Sequence, residues 1–137
     1  MITTSTVLTL SLAKAFGAYM VAGGLSLFIG QTRWAGVLDE FRQRPGLTYL
    51  AGIVVYALGV VIIMVHNNWG DALAGFISLF GWGAMIEGLI IIAAPSLLLD
   101  IAQPMMKPVL MKIFAVAVII LGILLLIAGF TGTVAIA

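Results

Sequence analysis

The sequence predicts an all-α membrane protein, a bundle of four transmembrane helices, and three observations predict it. First, 64% of the 137 residues are hydrophobic and 8% are charged, with a mean hydropathy of +1.28, whereas an ordinary soluble domain carries about 25% charged residues. Six Lys and Arg with five Asp and Glu cannot clothe a water-facing surface without leaving apolar patches far beyond those soluble monomers tolerate. Second, four apolar stretches reach the roughly 20 residues that a helix needs to cross about 30 Å of hydrocarbon. Third, the basic residues gather at two of the connections between those stretches.

The spans fall at about 7–30, 46–65, 73–94 and 109–130. Span one is interrupted by Lys14, span two carries no charge, span three contains Glu87, and span four has Lys112 near its start. Their runs lack the period-two alternation of barrel strands, so each reads as a helix. The stretch Met1–Leu12 has no basic residue ahead of its apolar part and no evident small-residue cleavage site, so it reads as mature sequence rather than a secretory leader. Residues 1–137 are then one membrane domain, with connections at 31–45 and 95–108 on one side and a turn at 66–72 on the other.

Arg33, Arg42 and Arg44 fall in the first connection, and Lys107 and Lys112 beside the second. The positive-inside rule places both in the cytoplasm, with the 66–72 turn and both termini on the periplasmic face of a bacterial inner membrane. Within the first connection Trp34, Val37, Leu38 and Phe41 recur at i, i+3, i+4, i+7, opposite Arg33, Asp39, Glu40, Arg42 and Gln43. That pattern predicts an interfacial amphipathic helix, with Trp34 and Phe41 against the bilayer. Pro45 and Pro108 suit the first turn of a helix, where an amide is missing without loss, and Pro95 ends span three.

The chain also resembles itself. A shift of 64 lays Phe16-Gly17 on Phe80-Gly81, Gly24-Leu25 on Gly88-Leu89, and Trp34, Val37, Leu38 and Phe41 on Leu98, Ile101, Ala102 and Met105; a shift of 63 brings Pro45 to Pro108 and Leu58-Gly59 to Leu121-Gly122. The pattern predicts two tandem helical hairpins related by a pseudo-twofold axis along the membrane normal. Each span further holds two glycines seven apart: Gly17 and Gly24, Gly52 and Gly59, Gly81 and Gly88, Gly122 and Gly129. Seven residues is nearly two turns, so each pair marks one stripe on which a neighbouring backbone approaches closely.

Four polar residues are candidates for function: Glu87, His66, Lys14 and Asp71. Glu87 lies about 10 Å from the basic end of span three at 1.5 Å per residue. An ionised carboxylate at that depth costs several kcal/mol unless it is paired, hydrated or protonated. It is thus either an ion-handling group or a structural glutamate, and its counterpart in the repeat, Gly23, would leave it room. Lys14 sits at a different depth from Glu87 and is expected to snorkel outward toward Asp71, or to serve as an interfacial anchor. In the turn His66-Asn67-Asn68-Trp69-Gly70-Asp71, the polar groups are expected to cap helix ends and Trp69 to join the interfacial aromatic belt.

The chain has no cysteine, which excludes disulfides, thiolate metal sites and a cysteine nucleophile. A net charge of +1 without a basic tract gives no footprint for nucleic acid. Nucleotide-binding, metalloprotease and serine-hydrolase motifs are absent, and Ser26, Ser78 and Ser96 have no histidine in reach to activate them except His66, placed on the outer side. No enzyme activity and no cofactor is expected.

The stretch from Leu47 to Pro95, with His66-Asn67-Asn68-Trp69, Gly81-Trp82, Gly88-Leu89 and Pro95, resembles a group of small uncharacterised bacterial four-span integral membrane proteins. The resemblance implies a bacterial inner-membrane protein and no particular activity. This sequence departs from the group at Glu87, where similar proteins often look basic.

The expectation that follows is a non-catalytic accessory or assembly subunit that packs as a homo-oligomer or in a larger membrane complex through glycine-lined and apolar faces. The alternative is a small ion or solute transporter or channel using Glu87. A third reading is a lipid- or quinone-binding module at the inner amphipathic segments.

Overall fold

A computed structural model describes residues 3, 4 and 6–135; the remaining parts of the 1–137 domain, and of the Met1–Leu12 stretch, lie outside the described residues. Six helices follow one another: α1 (Val7–Ile29), α2 (Gln31–Gln43), α3 (Pro45–Val65), α4 (Ala72–Ala93), α5 (Pro95–Met105) and α6 (Pro108–Thr131). Two-residue strands β1 (Thr3–Thr4) and β2 (Thr133–Val134) flank them. Helices α1, α3, α4 and α6, of 23, 21, 22 and 24 residues, are long and apolar enough to cross a membrane. At 1.5 Å per residue they measure about 32–36 Å. Thr6 and Asp71 cap α1 and α4, their side-chain oxygens accepting from the amides of Thr9 and Ala74. Prolines open α3, α5 and α6, where the missing amide has no partner to lose.

The helices pair across the sequence halves. α1 packs along α6 and α3 along α4, and α1 meets α4 between the two pairs. The repeated hairpins therefore do not close on themselves: the first and fourth spans form one pair, and the second and third form the other. Glycines allow the contact in both. A Cβ on Gly17 would lie 2.7 Å from the Gly122 carbonyl oxygen, and one on Gly59 would lie 2.8 Å from that of Gly81. The same shifts of 64 and 63 relate these two contacts. They also carry Gly24 against Ile119 onto Gly88 against Tyr56, and Gly122 against Val21 onto Gly59 against Met85. Phe16 and its counterpart Phe80 stack with ring centroids 5.2 Å apart. A residue can touch its own twofold mate only at the axis, so this stack marks where the pseudo-axis runs. Around it Leu10, Ala13, Met20, Leu73, Ile77, Leu125 and Ala128 fill the bundle interior.

All eight paired glycines sit in these seams, and a Cβ on any of them would come within 3 Å of a neighbouring atom. Gly23, Gly36, Gly46 and Gly83 face open space. The close-packing stripes are occupied inside the protomer, which leaves the exposed apolar side chains of the spans to face lipid.

Helix α2 matches the amphipathic segment read from the sequence. Helix α5 adds a second one at the same end, where the sequence reading drew only the connection 95–108. Pro104 in its final turn and its 11 residues obscure the periodicity, although the self-overlay had already set Leu98, Ile101, Ala102 and Met105 on the apolar face of α2. Arg33, Arg42, Arg44, Lys107 and Lys112 all cluster around α2, α5 and the starts of α3 and α6, at what is called below the basic end. At the opposite, histidine end, β1 and β2 pair in parallel, Thr3 with Thr133 and Thr4 with Val134, and the Ala135 amide donates to the Thr4 carbonyl at 2.9 Å. This short clasp joins the entry of α1 to the exit of α6.

Candidate functional site

The polar residues singled out in the sequence separate into two sites at opposite ends of the bundle. At the histidine end, His66 caps α3 and is buried between α1 and α4. Its Nε2 lies 2.8 Å from Thr9 Oγ1 and its Nδ1 lies 3.2 Å from Ser78 Oγ. Ser78 Oγ in turn donates to the Asn68 carbonyl at 2.8 Å and accepts from the Asn68 amide at 3.0 Å. With the Ser78 proton directed at Asn68, a neutral His66 satisfies every short contact in one tautomer: Nδ1–H donates to Ser78 and Nε2 accepts from Thr9. The Thr9 hydroxyl then accepts from Thr6 Oγ1, 2.8 Å away, and a directed chain runs from Thr6 through Thr9, His66 and Ser78 to the Asn68 carbonyl.

Of the three serines it is Ser78 that contacts His66, because residue 78 lies in the second turn of α4 and at the same depth as the α3 terminus. The pair is not poised as a nucleophile and base. Ser78 is fully buried, and its hydroxyl proton and a lone pair are committed to the Asn68 backbone. Beside it Asp71 caps α4 through Oδ1 and accepts from Thr4 Oγ1 through Oδ2 at 2.8 Å, tying the strand clasp to the bundle. Asn67 Oδ1 accepts from the indole N–H groups of Trp69 and Trp82 at 2.9 and 3.3 Å, and Trp69 is exposed at the rim.

Lys14 does not turn toward Asp71. Its Nζ lies 5.0 Å from the centroid of the Phe130 ring, in cation–π range, and its stem runs over Gly129. The seam between α1 and α6 holds the lysine by its methylenes, which is why it does not reach across to α4. The repeat accounts for this placement too: Lys14 against Gly129 is the counterpart of Ser78 against His66.

The basic end is built differently. Between α2 and α5 a groove of about 370 Å³ opens, floored by α3 and α4. Trp34, Val37, Leu38 and Phe41 line it from α2, and their counterparts Leu98, Ile101, Ala102 and Met105 line it from α5. The two walls are therefore pseudo-twofold counterparts of one another, while the floor comes from α3 and α4 alone. Two features fix the walls. Thr48 at the start of α3 donates to the Phe41 carbonyl at 2.6 Å, setting the exit of α2. Arg42 Nη2 donates to Asp100 Oδ1 at 2.9 Å and Gln103 Oε1 at 2.7 Å, bridging α2 to α5 along the rim. The far end of α2 is held by Ser26, whose hydroxyl accepts from Arg33 and from Trp34 Nε1.

Glu87 is the single charged side chain lining this groove. It lies six residues before the end of α4, about 9 Å along the axis, and is exposed to the groove rather than embedded in the packed seam. It has neither hydrogen bond nor ion pair among the described residues; the ion pair found there is Arg42–Asp100. Its space is provided by the groove beside Ala51 and Ile91 and not by Gly23, which borders none of the groove. The twofold is broken here: the counterpart side of the bundle offers a glycine where this side offers a carboxylate.

Sequence reasoning missed Thr4, Thr9 and Ser78 as partners of His66 and Asp71. The available signal was depth: each lies within two turns of the same bundle end as His66, in spans otherwise nearly free of polar residues. No group of three or more His, Cys, Asp or Glu among the described residues is placed to hold a metal ion. No protein-family model matches the chain, and neither the curated proteins nor the solved structures contain a significant match.

Proposed function

We propose that this integral membrane protein is a non-catalytic binding module for an apolar-chained molecule of the inner leaflet, taken into the groove between α2 and α5. The observation that carries the reading is the groove itself: about 370 Å³ and lined on both walls by apolar side chains. Ligand sites of about 300–1,000 Å³ with mostly apolar linings and a few fixed polar groups are the usual form of a small-molecule site. The excess of Lys and Arg around α2 and α5 supports a cytoplasmic basic end, with the β1–β2 clasp on the opposite face. The resemblance of Leu47–Pro95 to small bacterial four-span proteins supports placing that membrane in a bacterium.

Two rival readings are less well supported. An assembly subunit could not join through its glycine-lined faces, which are filled by α1 against α6 and α3 against α4, and would have to use its exposed apolar faces instead. A channel along the pseudo-axis would need to pass the Phe16–Phe80 stack and the residues packed around it. Native mass spectrometry after extraction in mild detergent tests the proposal. The expected result is a protomer that retains an apolar-chained adduct, with the adduct lost in Ala102→Phe, which fills the groove. An adduct-free protomer, or an adduct retained equally by Ala102→Phe, would overturn the reading. A stable oligomer without adduct would restore the assembly role.

A further inference from the structure

Resting on the groove as a ligand site, we infer that its preferred occupant is a lipophilic cation, an apolar-chained ammonium or phosphonium whose charge is met by Glu87. The argument starts from the charges at the basic end. Five basic side chains gather there, and none of them forms an ion pair with Glu87 among the described residues: Arg42 is held by Asp100 and Gln103, Arg33 by Ser26, and Lys112 lies 6.0 Å from the Phe28 ring centroid. The protein therefore supplies no counter-charge to the one carboxylate in the groove, although it has a surplus of cations a few residues away. Glu87 is exposed on the groove floor among apolar neighbours, where a cation is met with less screening than in bulk water.

The walls fit the same class of ligand. Trp34 and Phe41 line the groove, and aromatic rings attract organic cations that carry their charge on bulky, weakly hydrated groups. An anionic amphiphile would meet Glu87 with like charge, and a neutral one would leave the carboxylate without a partner. The asymmetry of the repeat points the same way. The groove walls are twofold-related residues, while the floor with its carboxylate comes from one side of the repeat, so the site offers an apolar slot with a single charged anchor. Such a slot accepts one chain and one cationic head.

The inference is tested with tryptophan quenching in zwitterionic nanodiscs, using protein in which Trp69→Phe and Trp82→Phe leave Trp34 as the reporter. The probes are a bromoalkyl-trimethylammonium and a bromoalkyl alcohol of equal chain length, titrated as mole fraction of lipid. Saturable quenching by the ammonium at about tenfold lower mole fraction than by the alcohol is expected, which corresponds to about 1.4 kcal/mol. Glu87→Gln should abolish that preference. Equal affinities in the unaltered groove, or a preference that survives Glu87→Gln, would overturn the cation inference while leaving the groove as a site for neutral chains. Quenching that is not saturable for either probe, and is indifferent to Ala102→Phe, would instead overturn the groove as a site.

Discussion

The histidine end and the basic end of this bundle receive the same four helices and treat polarity in opposite ways. At the histidine end Thr9, His66 and Ser78 are buried, yet each is hydrogen-bonded, and the entry of α1, the cap of α3 and the cap of α4 are tied into one network. At the basic end the interfacial helices hold an apolar slot open, and the one ionisable group inside it has no partner among the described residues. Buried polar groups stabilise a fold only when they are mutually satisfied. The first arrangement therefore reads as structure. The second leaves the Glu87 carboxylate exposed and without a protein partner among the described residues, which is the feature the proposed binding role uses.

The largest expected effect comes from a change that damages both ends together. Gly59→Leu places a side chain where Met85 and the Gly81 carbonyl already stand, and no rotamer escapes a contact that begins at Cβ. The α3–α4 seam should part, at a cost at or above the roughly 1–3 kcal/mol typical of overpacking, seen as loss of the folded species in detergent thermal unfolding. Gly83→Ala, which faces open space, should leave the transition in place. A smaller effect that separates the ends follows from His66→Leu. The change removes two buried hydrogen bonds, to Thr9 and to Ser78, whose hydroxyls keep their other partners Thr6 and Asn68; at about 0.5–1.5 kcal/mol each, the loss should lower the unfolding midpoint while leaving ligand retention by the folded protein intact. Ligand loss in proportion to stability loss would mean that the two ends are not independent.

Asp71→Ala removes the α4 cap and the tie to Thr4, and should cost about 0.5–2 kcal/mol in the same assay. Smallest is Arg42→Ala. This ion pair is between side chains 32% and 68% exposed, and exposed pairs contribute about 0–1 kcal/mol. Its stability effect should be barely measurable, while the rim of the groove loses its bridge and the rate of ligand release should rise.

The legibility of these two ends in the sequence was unequal for physical reasons. Hydropathy depends only on local composition, so the spans read as 7–30, 46–65, 73–94 and 109–130 lie within one residue of the observed helices at each end. Glycine spacing identified close-packed stripes, but spacing is silent on which stripe meets which, and only the fold shows α1 against α6. The amphipathic face of α2 was evident because Trp34, Val37, Leu38 and Phe41 stand opposite charges. The matching face of α5 was less so, because Leu97, Leu98 and Leu99 run together and blur the period. Glu87 stood out by its cost in lipid, yet its setting between two interfacial helices depends on the pseudo-axis. The His66 network is a tertiary fact: Thr9 and His66 are 57 residues apart in the chain.

The account rests on the groove at the basic end being where the protein takes hold of its ligand. Photocrosslinking tests this most directly, with diazirine-bearing alkyl chains dispersed in the bilayer and adducts mapped by peptide mass. The account predicts adducts concentrated on groove-facing residues of α2 and α5, such as Leu38 and Ile101, and displaced by excess unlabelled amphiphile. Adducts spread evenly over lipid-facing positions such as Leu79 and Leu124, with no displaceable excess between α2 and α5, would contradict it.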